Sequence, residues 1–407
     1  MTALLIRDAT VLLEDGPVRA DVRVEDGCIA AIGTPSAAGA RVIDARNHLL
    51  APAFVDIHGD AFERQLEPRP GVRVDTATAL LETDRQLAAN GIATAYHALT
   101  LSWEPGLRSL AMAGEVMDTL ALLAPRLSVE HRIQLRWETF AVEALPLIRR
   151  ALEGPLTPAI AFNDHTTMAL RPIGMAVADR PDPMLAIASP DDPALAARLA
   201  KSAARSGLSA RDYIDLLKAR WARRGETDAL IADVAGQGRR VGAPMLSHDD
   251  CQPVTRERFS GLGVRIAEFP MTRETADAAR AAGDAVVLGA PNVMRGGSHN
   301  GAVDAAGMIS AGLCDILASD YYYPAMLAAT ARLAGPLEMP LQQAWACVAA
   351  APARALGLTD RGCIAPGLRA DLVLVDWPAI PSGPPAIRLT LRAGRIASLA
   401  DSALAPA

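Results

Sequence analysis

The residues best suited to chemistry are imidazoles and carboxylates that each close a short apolar run. His58 and Asp60 follow APAFVDI, Glu138 ends RIQLRWE, His165 ends AIAFNDH, His248 lies at the end of APMLSHD, and Asp320 ends CDILASD. Side chains alternate along a strand, so the two ligand-type groups of His58-Gly59-Asp60 leave the chain toward the same face. One such pair says little, because a polar strand end that merely packs is about as common. The whole set draws three of the chain's seven histidines, which is hard to attribute to satisfied core histidines and solvated carboxylates. Neutral imidazole mixed with hard carboxylate suits a divalent metal, as one or two ions: zinc, with manganese or iron as alternatives. Coordination lowers the pKa of water from about 15.7 toward about 7. Asp320 is then the natural general base, and Glu138 is placed to bridge two ions.

A second cluster, GAPNVMRGGSHNG, runs from Gly289 to Gly301. Gly296 and Gly297 permit a tight loop whose amides can meet phosphate oxygens, with Arg295 and Ser298 as further donors. His299 is a further active-site histidine, for phosphate binding or leaving-group protonation. The alternative is an ordinary glycine-rich turn. Arg69, in EPRPGV, is another possible anion contact. Glu63 reads as a helix-start carboxylate favoured by the dipole. Tyr321, Tyr322 and Tyr323 beside Asp320 either wall the pocket or pack. His97, Arg136, Asp249 and Asp250 are weaker candidates that would support the ligands; His48 and His131 read as structural.

Elements that position such residues can be counted along the chain. Eight apolar runs, at 51-57, 92-99, 131-138, 158-164, 243-247, 264-269, 285-289 and 314-319, alternate with Ala/Leu/Arg-rich helical stretches, the pattern of a parallel sheet. Eight βα units predict a (β/α)8 TIM-like barrel, whose active site lies at the C-terminal strand ends. The first fifty residues and the C-terminal stretch instead alternate apolar and polar positions around Asp15-Gly16, Asp26-Gly27 and Ala393-Gly394, the mark of antiparallel hairpins. Both chain ends, 1-50 and 358-407, are therefore expected to form a small β-sandwich domain flanking a barrel at 51-357. A helical insertion at about 170-240 contains segments from Pro193 to Arg205 and from Ala210 to Arg224, the second opened by a capping-box-like Ser209 and Asp212. It is a lid or a dimer arm, and a homodimer is expected.

Composition agrees with a folded, soluble chain: 407 residues, 51% hydrophobic and 21% charged. A net charge of -6 provides no basic field for nucleic acid or an anionic membrane, although local arginines and metal can still meet an anionic substrate. No signal peptide or run of about 18 apolar residues is present, so a cytoplasmic location is expected. The five cysteines lack CxxC spacing and should be reduced. Cys251 alone lies near the site.

The motifs together resemble a known family: the phosphonate-catabolism diphosphatases (PhnM) of the carbon-phosphorus lyase pathway, within the amidohydrolase superfamily. The likeness rests on HGD followed by PRPGV, LRWE, NDHT, LSHDD, AEFPMT, LGAPNVMRGGSHNG, LASDYYYP and RGCIAPGLRADLVLVD. It implies a metal-dependent hydrolase that converts α-D-ribose 1-methylphosphonate 5-triphosphate to the 5-phosphate and diphosphate, with a phosphorylated sugar as its small-molecule partner. His58, Asp60, Glu138, His165, His248 and Asp320 fall on the family's ligand motifs. One segment departs: after NDHT the family's Pro-Gly-Gln-Arg-Gln-like stretch is replaced by Thr167-Met168-Ala169-Leu170-Arg171-Pro172. Arg171 is the obvious replacement cation. The alternatives are a paralogue opening an amide, lactone, cyclic amidine or another phosphorylated substrate, and a non-catalytic scaffold.

Overall fold

The computed structural model describes residues 3–176, 179, 188, 191–298, 303–377 and 383–406. Two sheets organise them. The chain ends build the first from β1 (Ala3–Leu13), β2 (Gly16–Glu25), β3 (Cys28–Gly33), β4 (Ala40–Asp44) and β5 (Leu49–Pro52), with β14 (Leu372–Asp376), β15 (Ala386–Arg392) and β16 (Arg395–Leu399). The strand order is β16-β15-β14-β5-β1-β2-β3, with β4 paired to β1. The two ends join where β5 runs antiparallel to β14, matching Leu50 with Leu374. Val11, Val22, Leu50, Leu374 and Leu391 form its apolar core.

The second sheet is parallel and holds β6 (Phe54–Gly59), β7 (Ile92–Leu101), β8 (Glu130–Glu138), β9 (Ala159–Asn163), β10 (Met245–His248), β11 (Ile266–Glu268), β12 (Ala285–Gly289) and β13 (Ile316–Ala318), in sequential order. Each expected run overlaps one of these strands. The first run divides, because Leu49–Pro52 pairs within the end sheet and the barrel starts only at Phe54. A bridge between Gly59 and Asp320 closes the barrel: the Asp60 amide donates to the Asp320 carbonyl and the Asp320 amide to the His58 carbonyl, both at 2.9 Å. Beneath this seam the buried Asp56 carboxylate accepts the Ser319 amide at 3.0 Å and its hydroxyl at 2.5 Å. A Cβ on Gly59 would stand 2.7 Å from that carboxylate, so the middle residue of His-Gly-Asp must be glycine.

Strand alternation sorts the layers. On β8, Leu135 and Trp137 pack outward against helices; on β9, Ile160 and Phe162 do the same while Ala159 and Ala161 fill the interior. Leu246, Ile266 and Val287 also point inward, which turns His248 and Glu268, each two residues further along, into the barrel mouth. In the expected insertion, the helices Pro193–Arg205 and Ala210–Trp221 share a separate core of Leu195, Leu199, Tyr213, Ile214 and Leu217. Ser209 caps the second of them, accepting the Asp212 amide at 3.1 Å. A third helix, Arg224–Val241, instead packs Ile231, Val234 and Ala235 onto the barrel. It is the barrel's own helix after β9, so the inserted part ends before it.

Among the described residues no helix is long and apolar enough to cross a membrane.

Candidate functional site

The barrel mouth brings the strand-end groups into three overlapping clusters: His58, His248 and Glu268; His165, His248 and Asp249; and His58, Asp60 and Asp320. Within each, donor atoms lie within 4.8 Å of one another. His58 and His248 each belong to two clusters, and their rings are 5.5 Å apart. Five of the six expected ligands, His58, Asp60, His165, His248 and Asp320, thus converge.

Two members were not expected as ligands. Glu268, at the end of β11, puts a carboxylate oxygen 3.0 Å from His58 Nδ1 and another 3.9 Å from His248 Nε2. A sequence signal was available: Glu268 is the one carboxylate within the sixth apolar run, next to its last residue, and it ends β11. Asp249, placed in a supporting role by the sequence, has φ 58°, a left-handed conformation uncommon outside glycine. That turn sets its carboxylate 3.2 Å from His248 Nδ1 and 3.6 Å from His165 Nε2.

Glu138 stands apart from the clusters. Its oxygens accept the His165 amide at 2.9 Å, the Thr166 hydroxyl at 2.8 Å and the Thr166 amide at 3.3 Å. It therefore ties down the turn that carries His165. Burial and nearby Asp164 raise its carboxyl to about 8.

Several buried atoms of the clusters have no hydrogen-bond partner: His58 Nδ1, both ring nitrogens of His248, and Glu268 Oε2. Burial works against an ionised Glu268, yet His58 and His248 outweigh it and hold the carboxyl below its ordinary range. A buried anion beside imidazole lone pairs calls for a cation, and a divalent metal would satisfy all of these atoms together. The donor set fits a metal on this ground. Gln134 supports it from below, donating to Glu268 at 2.7 Å and to the Ile57 carbonyl at 3.2 Å. Burial and the neighbouring Asp60 raise Asp320 to about 6; a bound cation would favour its ionised form again.

Two lobes open from the clusters. One, of about 210 Å³, is lined by His58, Asp320, Tyr321, Asn292 and Ser298. The other, of about 420 Å³, lies under the insertion and is lined by Asp60, Glu138, His165 and five arginines. Arg136 faces both. It shares its side of β8 with Gln134 and Glu138, its Nε has no hydrogen-bond partner, and its Nη1 is 3.7 Å from Asp60.

The expected anion contacts separate. Arg171 lines the larger lobe, while Ser298 lines the smaller. Arg69 and Arg295 are exposed and line neither lobe. Gly296 is the left-handed cap of the helix Ala290–Arg295, with φ 80°, and a Cβ there would meet the Arg332 guanidinium at 2.8 Å. It ends a helix. Gly297 also has positive φ, at 143°. His299 lies outside the described residues.

Glu63 begins a short helix and chelates Arg108 at 2.8 and 3.0 Å. His97 does not reach the clusters; it meets His131 at 2.8 Å, and His131 reaches Asp84 at 3.0 Å. Asp250 contacts the Ser247 hydroxyl and lies 3.7 Å from Arg256, bracing the end of β10. Cys251 is buried.

Comparison with known proteins agrees with this arrangement. The chain is 29% identical over 382 residues to the alpha-D-ribose 1-methylphosphonate 5-triphosphate diphosphatase of Escherichia coli (strain K12), covering 91% of this chain and 94% of that protein. Among solved structures, molinate hydrolase superposes with a TM-score of 0.64 at 14% identity, covering 97% of this chain and 94% of the other. The N-isopropylammelide isopropylaminohydrolase of Burkholderia multivorans does so with a TM-score of 0.62 at 20% identity, covering 97% and 98%. These likenesses concern the fold. Residues 162–397, more than half of the chain, match the model of the amidohydrolase family. With a parallel barrel, a cluster of metal-type donors at its mouth and this match along its length, the chain belongs to the amidohydrolase family and is a metal-dependent hydrolase.

Proposed function

We propose that the protein hydrolyses the triphosphate of a sugar 5-triphosphate, releasing diphosphate, with α-D-ribose 1-methylphosphonate 5-triphosphate as its substrate. The observation that carries this reading is the likeness to a diphosphatase that spans nearly the full length of both chains. An arginine-lined lobe beside the clusters supports it, since a neutral amide would not require such a lining.

His58, Asp60, His165, His248, Asp249, Glu268 and Asp320 would hold one or two divalent ions, zinc being the metal their imidazole and carboxylate donors suit best. A bound divalent cation supplies Lewis acidity toward phosphoryl oxygens and lowers the pKa of water. Asp320, at the seam of the barrel, takes the proton of the water that adds to phosphorus. The bridging P–O bond between the α and β phosphates breaks, and diphosphate departs with the electron pair. Asp320 then returns the proton to the leaving group or to solvent. Arg136 meets negative charge on the phosphoryl oxygens as it builds. Glu138 holds the His165 turn in place, and Gln134 orients Glu268. The enzyme acts in the cytoplasm.

Chromatography of products from the metal-loaded protein tests the reading. Diphosphate and sugar 5-phosphate in equal amounts are expected. Release of no diphosphate, together with opening of a neutral cyclic amide or lactone, would replace it with the amide-type reading and leave the fold unaffected.

A further inference from the structure

The larger lobe carries more positive charge than the metal chemistry uses. Arg108, Arg136, Arg171, Arg198 and Arg205 line it, against the carboxylates of Asp60, Glu104 and Glu138. Two of the arginines are committed: Arg108 is chelated by Glu63, and Arg205 donates to Glu104 at 3.0 and 3.2 Å. The other three are not. Among the described residues Arg136 has one ion pair, with Asp60 at 3.7 Å. Arg171 donates to the carbonyls of Met168 at 2.8 Å and Met175 at 3.3 Å. Arg198 donates to the Arg171 carbonyl at 2.8 Å, and its buried Nε has no partner. A guanidinium has five N–H donors, so each keeps several for a ligand.

Arg198, Ser202 and Arg205 stand at i, i+4 and i+7 on the helix Pro193–Arg205 and form one stripe facing the lobe. Beside it, Leu195, Leu199 and Ala203 anchor the helix in the insertion's own core. Trp103 packs on Tyr213 and donates to the Thr166 hydroxyl at 3.1 Å, fastening this roof to the turn that bears His165. Burial and the neighbouring Arg171 lower the pKa of Arg198, and Asp192 offsets them in part.

We infer that Arg136, Arg171 and Arg198 form the polyphosphate subsite, gripping the β and γ phosphates. The departing diphosphate is therefore held under the insertion. The identity of the ligand rests on the triphosphate reading above.

The test uses the metal-loaded full chain and α,β-methylene-ATP, whose α–β bridge resists hydrolysis, with affinity measured by calorimetry. Arg198→Gln and Arg171→Gln should each raise Kd at least about tenfold, the scale of one lost charge-assisted bond, with metal content unchanged. Phenylglyoxal labelling of the unmutated enzyme, read by mass spectrometry, provides a second measure that needs no variant to fold: the analogue should protect Arg136, Arg171 and Arg198. Unchanged Kd in both variants, or protection confined to Arg295, in an enzyme that still releases diphosphate from the sugar triphosphate overturns the subsite and leaves the reaction standing. An enzyme that neither binds the analogue nor hydrolyses the triphosphate overturns both.

Discussion

His58 Nδ1 lies 3.0 Å from a carboxylate oxygen of Glu268, with both side chains buried. The first and sixth strands of the barrel thus meet through an imidazole and a carboxylate that water does not reach. The second Glu268 oxygen is buried without a hydrogen-bond partner. Removing the carboxylate's charge should therefore weaken cation binding before it disturbs the fold.

Glu268→Gln is expected to lower bound metal in the purified protein by about tenfold or more, the range seen when groups supporting a metal site are altered. Elemental analysis alongside circular dichroism checks this. Full metal content in the variant would assign Glu268 to packing.

Asp320→Asn should keep the fold and bound metal, yet lose at least about two orders of magnitude in kcat, the usual scale for removing an acid-base group. Steady-state kinetics on the metal-loaded variant decides it. Turnover near that of the unmutated enzyme would show that another group takes the proton.

The barrel was legible in the sequence because eight apolar runs alternate with helical stretches. The convergence of His58, His248 and Asp320 could be read from the polar residues that close their runs. Glu268 was missed because it lies one residue inside the run at 264-269, between Ala267 and Phe269, and does not close it. Glu138 does close its run, but its oxygens are taken up by the backbone of the next turn, a contact between β8 and β9 that no local pattern encodes. Arg69 and Arg295 were expected beside the site, and both are exposed and line neither lobe. Glycine-rich or proline-rich surroundings suggest an anion loop, whereas the direction of a long side chain depends on packing. Arg198 lay on a helix visible in the sequence, but only the docking of that helix over β7 and the His165 turn gives it a target.

Away from the site, Glu130 ties the end sheet to the barrel. Burial alone would raise its carboxyl, but Arg369 and Arg361 outweigh it and bring the pKa down to about 2. A carboxyl depressed in the folded state stabilises the protein fully above its unfolded pKa, near 4.5, and loses that contribution as pH falls toward 2. Chemical denaturation between pH 7 and pH 3 should show a loss on the order of 2 kcal/mol from this group. Glu130→Gln should be less stable at pH 7 and show a smaller decline on acidification. An identical decline in both proteins would remove Glu130 from the account.

Arg136 faces both lobes, with the Asp60 carboxylate 3.7 Å from its Nη1. Arg136→Ala should reduce kcat/KM for the triphosphate by at least about tenfold, with thermal stability and metal content retained. If instead the melting temperature collapses while the residual folded enzyme keeps its kinetics, Arg136 braces the barrel and does not meet substrate.

The most direct test of the central claim follows the reaction by 31P NMR with α-D-ribose 1-methylphosphonate 5-triphosphate. Metal-loaded enzyme should generate diphosphate and the 5-phosphate in equal amounts, chelation should abolish the reaction, and added zinc should restore it. Persistence at full rate after the metal has been removed, or release of inorganic monophosphate in place of diphosphate, would contradict it.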